Sequence, residues 1–181
     1  MAATPGGKLL LQGFMQQGLR VALAVMAFRA WSRRGEIAND PKVAPPSNGA
    51  PTRDETRAAG FSAGSGDDPA FERAIVRILV AAARADGRLD DREKRVLTSA
   101  FAQADLDAEE RAAFTNAMTD AELRRIADAA RTPGQRAELY VAAAAMCDDP
   151  APGETTFLAR LAAALQIDDD YAEATRAEMM R

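Results

Sequence analysis

The polar and apolar positions divide the chain into three unequal stretches. Between residues 6 and 34 apolar side chains dominate, with an unbroken run from Val21 to Phe28 bracketed by Arg20 and Arg29. Gln12, Gln16 and Arg20 recur at i, i+4 spacing and put a polar stripe on the first half of a predicted helix. From about 35 to 67 no apolar period survives, and Pro, Gly, Ser and Asn are frequent. That stretch reads as a flexible tether. Beyond Asp68 the helical period returns and persists. Phe71, Ile75, Ile78, Leu79 and Ala82 share one face, Leu139, Tyr140, Ala143 and Ala144 another, and Phe157, Leu158, Leu161 and Leu165 a third.

Helix starts are legible in the third stretch. Asp68-Pro69 places an acceptor and a pre-set φ at the first of them. Asp90 with Glu93, Asp107 with Glu110, Thr119 with Glu122 and Thr132 with Gln135 have capping-box spacing, in which each partner accepts from an amide near the other. A last helix runs from Tyr171 toward the C-terminus. No strand period competes, so the fold class is all-α. The expected layout is an N-terminal apolar helix at 1–34 separate from the body, a linker at 35–67, and a compact bundle of helices at 68–181.

Composition narrows the chemistry. Aromatics are 6% of the chain and hydrophobic residues 48%, with alanine the commonest, which suits closely packed helices. Histidine is absent, which removes Ser-His and Cys-His catalysis and every His-ligated metal site. The single cysteine, Cys147, excludes an intrachain disulfide and reads as a buried small apolar group. Gly60-Phe61-Ser62-Ala63-Gly64 matches G-x-S-x-G, yet without a preceding strand or an activating histidine it is a chance match. No phosphate-binding glycine loop or dinucleotide signature is present, so an enzyme is not expected.

Charge is distributed unevenly. Lys8, Arg20, Arg29, Arg33 and Arg34 make residues 1–35 five units positive, so a net charge of −4 leaves −9 on the remainder. An acidic body of that kind disfavours nucleic acid. The basic apolar head suits a membrane surface or a second copy of the chain, with Trp31, Arg33 and Arg34 as an interfacial anchor. A span needs about 20 predominantly apolar residues, and residues 9–31 reach that length only by including three glutamines and two arginines.

Shifted by 61 positions, the chain aligns with itself. Glu93 falls on Glu154, Val96 on Phe157, Leu97 on Leu158, Ala100 on Leu161, Leu106 on Ile167 and Asp107 on Asp168. Two helix–acidic turn–helix units therefore build the bundle. Within them, "AAARADGRLDDREKRVL", "ARTPGQRAELYVAAA" and "DDPAPGETTFLARLAAALQID" resemble the TerB-like superfamily, named for tellurite resistance, and within it the YebE-type inner-membrane proteins. The resemblance covers about residues 69–181. It implies a TerB-like bundle of about seven helices, no catalysis, a location at the cytoplasmic face of the inner membrane, and acidic turns suspected of holding metal ions. Carried over by match, those turn positions are Asp86, Asp90 and Glu93 in the first unit and Asp148 and Glu154 in the second, where Cys147 replaces the counterpart of Asp86.

The residues themselves leave two readings of these turns. A hard divalent cation takes about 6–8 oxygen ligands. Around the first turn Arg84, Arg88, Arg92 and Lys94 cancel the acids, and Asp90 and Glu93 already have a capping role. Punctuation is the better reading there. The second turn, with Asp148, Asp149 and Glu154, has no basic residue between Arg136 and Arg160 and is the better-placed of the two for a divalent ion. The functional expectation is a non-enzymatic, membrane-associated interaction module for a protein partner, or a divalent-cation-binding stress protein that uses these turns.

Overall fold

The structure is a computed structural model that describes residues 23–31, 60–61, 68–85, 91–103, 108, 112, 118–147, 150 and 152–179. Among the described residues the ordered elements are seven helices and no strand: α1 (23–31), α2 (Pro69–Ala83), α3 (Asp91–Gln103), α4 (Asp120–Ala129), α5 (Pro133–Met146), α6 (Pro152–Leu165) and α7 (Asp169–Met179). The chain is an all-α bundle.

Three of the expected starts are built as the sequence specifies. Asp68 Oδ1 accepts the Phe71 amide at 3.2 Å ahead of Pro69. Thr119 and Glu122 form a full capping box, with the Glu122 amide 3.2 Å from Thr119 Oγ1 and the Thr119 amide 2.9 Å from Glu122 Oε2. Thr132 and Gln135 form another, at 3.1 and 3.3 Å, with Pro133 as the first helical residue. The proposed boxes at Asp90 and Asp107 lie outside the described residues.

Helices α2 and α5 make the most extensive helix pair and form the centre. The sequence predicts one apolar face for α2, but from Ala74 to Ala83 every side chain is buried. Helix α5 is buried continuously from Ala137 to Met146. The reason is position: α2 is packed by α3, α4, α5 and α6, so no face is left for water. Alanines at 81–83 and 142–145 keep side-chain bulk low enough for close approach.

The 61-residue shift also relates helix bounds and burial. Moving Asp91–Gln103 by 61 positions gives 152–164, against Pro152–Leu165 for α6. The same shift superposes Val80 on Val141 and Ala81, Ala82 and Ala83 on Ala142, Ala143 and Ala144, all of them buried. It also brings Arg77 onto Glu138, so both central helices bury a charge, of opposite sign, at the same register.

The expectation of an N-terminal helix set apart from the body is corrected for residues 23–31. Leu23, Ala24, Met26, Ala27, Phe28 and Ala30 are buried in the common core. The Tyr171 hydroxyl donates to the Ala27 carbonyl at 3.0 Å, and Arg29 approaches Glu178 at 3.7 Å. Burial of Leu23, Met26 and Phe28 contributes about 1.5–3 kcal/mol each as an upper figure, which outweighs any surface attraction of Arg29. No helix among the described residues is long and apolar enough to cross a membrane.

Two residues of the expected tether are also part of the fold. Gly60, at φ +83°, and Phe61 lie against the start of α5. Thr132 Oγ1 donates to the Gly60 carbonyl while accepting from the Gln135 amide. A Cβ on Gly134 would stand 2.5 Å from that carbonyl oxygen, so the close approach requires glycine there. Phe61 in turn meets Phe28 edge-on at 5.6 Å and Trp31 at 6.4 Å. The remaining residues of the expected 1–34 and 35–67 segments lie outside the described ones.

Candidate functional site

The stems of the two acidic turns come together at one end of the bundle. Ala81, Arg84 and Ala85, where α2 runs out toward the first turn, share a cavity of about 290 Å³ with Gly153, Thr156 and Phe157, where α6 begins after the second. Met118 and Arg160 complete its lining. Of the sequence-predicted metal residues, Asp86, Asp90, Asp148 and Asp149 lie outside the described residues, as does the side chain of Glu93 on α3. Glu154 is described. It is buried on the same helical stripe as Phe157, Leu161 and Leu165, at 3, 4 and 4 residue steps, and so faces the core. Among the described residues no group of three acidic or cysteine side chains is placed to hold a metal ion.

Two ionic ties position this end of the bundle, and sequence reasoning missed both. Arg77, buried in α2, donates from Nη2 to Glu122 Oε1 at 3.0 Å. Glu122 thus serves the α4 cap and an inter-helix pair at once. The amide and hydroxyl of Thr119, with the Arg77 guanidinium behind them, hold its carboxyl down at about 2. Arg160 of α6 donates from Nε to Asp120 Oδ1 at 3.0 Å and from Nη2 to the same oxygen, and its Nη2 lies 3.4 Å from the Met118 carbonyl. The start of α4 is therefore tied to α2 on one side and to α6 on the other. A charge inside an apolar run, as in Ile75-Val76-Arg77-Ile78-Leu79, was the available signal. Nothing local told which residue would answer it.

Cys147 caps α5, is buried and forms no disulfide, with its amide 3.2 Å from the Ala143 carbonyl oxygen. The arrangement presents an apolar floor of Phe157 and Met118 with guanidinium groups at Arg84 and Arg160, beside two turns whose sequences are acidic. That combination suits recognition of a polar or charged surface. Among the described residues no nucleophile–base pair lines the cavity.

The pattern described as "Protein of unknown function (DUF533)" matches residues 2–179. The chain belongs to the DUF533 family. DUF533 is TerB-like, in line with the resemblance carried by the turn sequences. The DUF533 match takes in the apolar head as well as the bundle, which agrees with the burial of residues 23–31 in one common core. No curated protein and no solved structure matched the chain.

Proposed function

We propose that this DUF533 protein is a non-enzymatic helical interaction module of the TerB-like, YebE type, held at the cytoplasmic face of the inner membrane. Its partner is a protein that docks at the bundle end where the stems flanking the two acidic turns share a cavity. The carrying observation is the shared cavity: residues from both turn stems line one depression, so a single partner can read both halves of the duplication. Membrane contact falls to residues before Leu23, because most of 23–31 is packed in the core. Lys8 and Arg20 supply the basic character that an anionic surface attracts.

The test places a photo-crosslinking residue at Thr156, on the cavity, and in parallel at Arg176, exposed on α7. A discrete adduct from Thr156 that is absent from Arg176, and abolished by Arg160→Glu, supports the docking site. Equal labelling from both positions sinks it. Fractionation of the full chain against Lys8→Glu/Arg20→Glu tests the membrane contact. If the variant stays with membranes to the same extent, that contact is wrong.

A second reading, binding of a divalent cation with a link to metal or envelope stress, draws on the same cavity, since the stems that flank both acidic sequences line it. Calorimetry of the full chain with Ca²⁺, Mg²⁺ and Zn²⁺ decides it. Saturable heat lost in Asp148→Asn/Asp149→Asn supports the cation site, and heat indistinguishable from dilution removes it.

A further inference from the structure

A second cavity, of about 240 Å³, lies away from the acidic turns, where α1, the start of α5 and the α6–α7 junction meet. Trp31, Leu165 and Tyr171 supply apolar and aromatic lining, and Arg136, Gln166 and Asp168 the polar groups. Two observations set it apart from ordinary surface relief.

The first is the backbone at Gln166. Helix α6 closes with the Ile167 amide on the Ala162 carbonyl at 2.9 Å and the Gln166 amide on the Ala163 carbonyl at 3.3 Å, a Schellman close with Gln166 in the left-handed position at φ 57°. Glycine is the usual residue there, and a side chain costs about 1 kcal/mol. What the glutamine adds is an acceptor: its Oε1 takes a hydrogen bond from Arg136 Nη1 at 2.8 Å. The second is Arg136 itself. Its Nε is buried and has no acceptor among the described residues, and a buried donor left unmade costs about 1–3 kcal/mol. With Nη1 taken by Gln166 and Nε enclosed by protein atoms, Nη2 is the donor left for a carboxylate oxygen in the cavity.

We propose that this cavity binds a small organic monocarboxylate with an apolar or aromatic body. Arg136 holds the carboxylate, Gln166 sets the guanidinium orientation, and the body lies among Trp31, Leu165 and Tyr171. Arg136 and Asp168 are the charged groups lining the cavity. Asp168 Oδ1 already accepts the Tyr171 amide at 2.8 Å as the α7 cap, and its negative charge disfavours a dianion such as phosphate. The volume admits a ligand of about ten heavy atoms, below the usual range for drug-sized molecules.

Trp31 is the one tryptophan of the chain, so its emission reports on this cavity. The full chain is titrated with phenylacetate and, separately, with the isosteric neutral phenylacetamide. A saturable change with phenylacetate between about 0.1 and 5 mM is expected, with phenylacetamide at least about tenfold weaker. Arg136→Gln weakens phenylacetate by about tenfold or more. Gln166→Gly separates positioning from folding: it relieves the left-handed strain and raises Tm, yet weakens phenylacetate about threefold to tenfold. No saturable change, equal response to the amide, or undiminished binding in both variants overturns the proposal.

Discussion

Helices α2 and α5 correspond under the 61-residue shift, and they differ in what meets their ends. From Val80 to Ala83 and from Val141 to Ala144 the residues are identical and buried. At the leading end, Gly134 on α5 corresponds to Arg73 on α2; the first lies under Gly60, the second is exposed. At the trailing end, Arg84 is exposed while its counterpart Ala145 is buried. The shared stretch, close to the trailing end of each helix, suits a crowded interior that tolerates only small or well-fitted side chains. The ends answer to what each helix receives: a docked chain segment at the start of α5, open solvent at the end of α2. The two acidic turns consequently leave from unlike ground, one from an exposed stem and one from a buried stem.

If the central helices are equivalent, Ile78→Ala and Leu139→Ala, both at 0% exposure and matched by the 61-residue shift, lower stability by similar amounts of about 2–5 kcal/mol in denaturant titrations. A difference of more than about 2 kcal/mol between them breaks the equivalence. The ends are expected to behave oppositely. Gly134→Ala costs about 1–3 kcal/mol and shifts Trp31 emission to the red as the Gly60–Phe61 contact is pushed off, whereas Arg73→Ala stays within about 1 kcal/mol.

Next in size is Glu122→Gln, which keeps a residue able to cap but removes the charge facing Arg77; about 1–2 kcal/mol is expected. The pH dependence follows from the sign. The folded carboxyl sits at about 2, below its ordinary 4.5, so its contribution is complete above 4.5 and is lost as pH falls toward 2. Acid titration of stability is therefore shallower in Glu122→Gln than in the parent over that window. Smallest is Arg29→Ala, whose partner Glu178 lies at 3.7 Å; less than about 1 kcal/mol is expected, and still less at 1 M salt.

What could be read in advance follows from the range of each interaction. Caps at Asp68, Thr119 and Thr132 act over three residues, and the sequence carries both partners side by side. The duplication is legible because both copies must fill the same kind of space. The Asp168 cap on Tyr171 was visible by type but obscured by three consecutive aspartates, any of which can accept an amide. Contacts across long separations gave no local sign. Residues 21–28 look the same whether they face lipid or a protein core, since both select for the same side chains. The site was the least legible part: which of many acids and arginines share a cavity depends on how the stems meet, as Arg84 and Arg160 do.

The hydroxyl of Tyr171 reaches across 144 positions of sequence to the Ala27 carbonyl. On a ribosome adding about 5–20 residues per second, the first of these two groups waits roughly 7–30 seconds for the second to be made. Through that interval the nascent segment around Leu23, Met26 and Phe28 can meet Phe61 but lacks its contacts with α7. It is open to whatever oily surface or holding factor lies nearby until the last helix arrives to claim it.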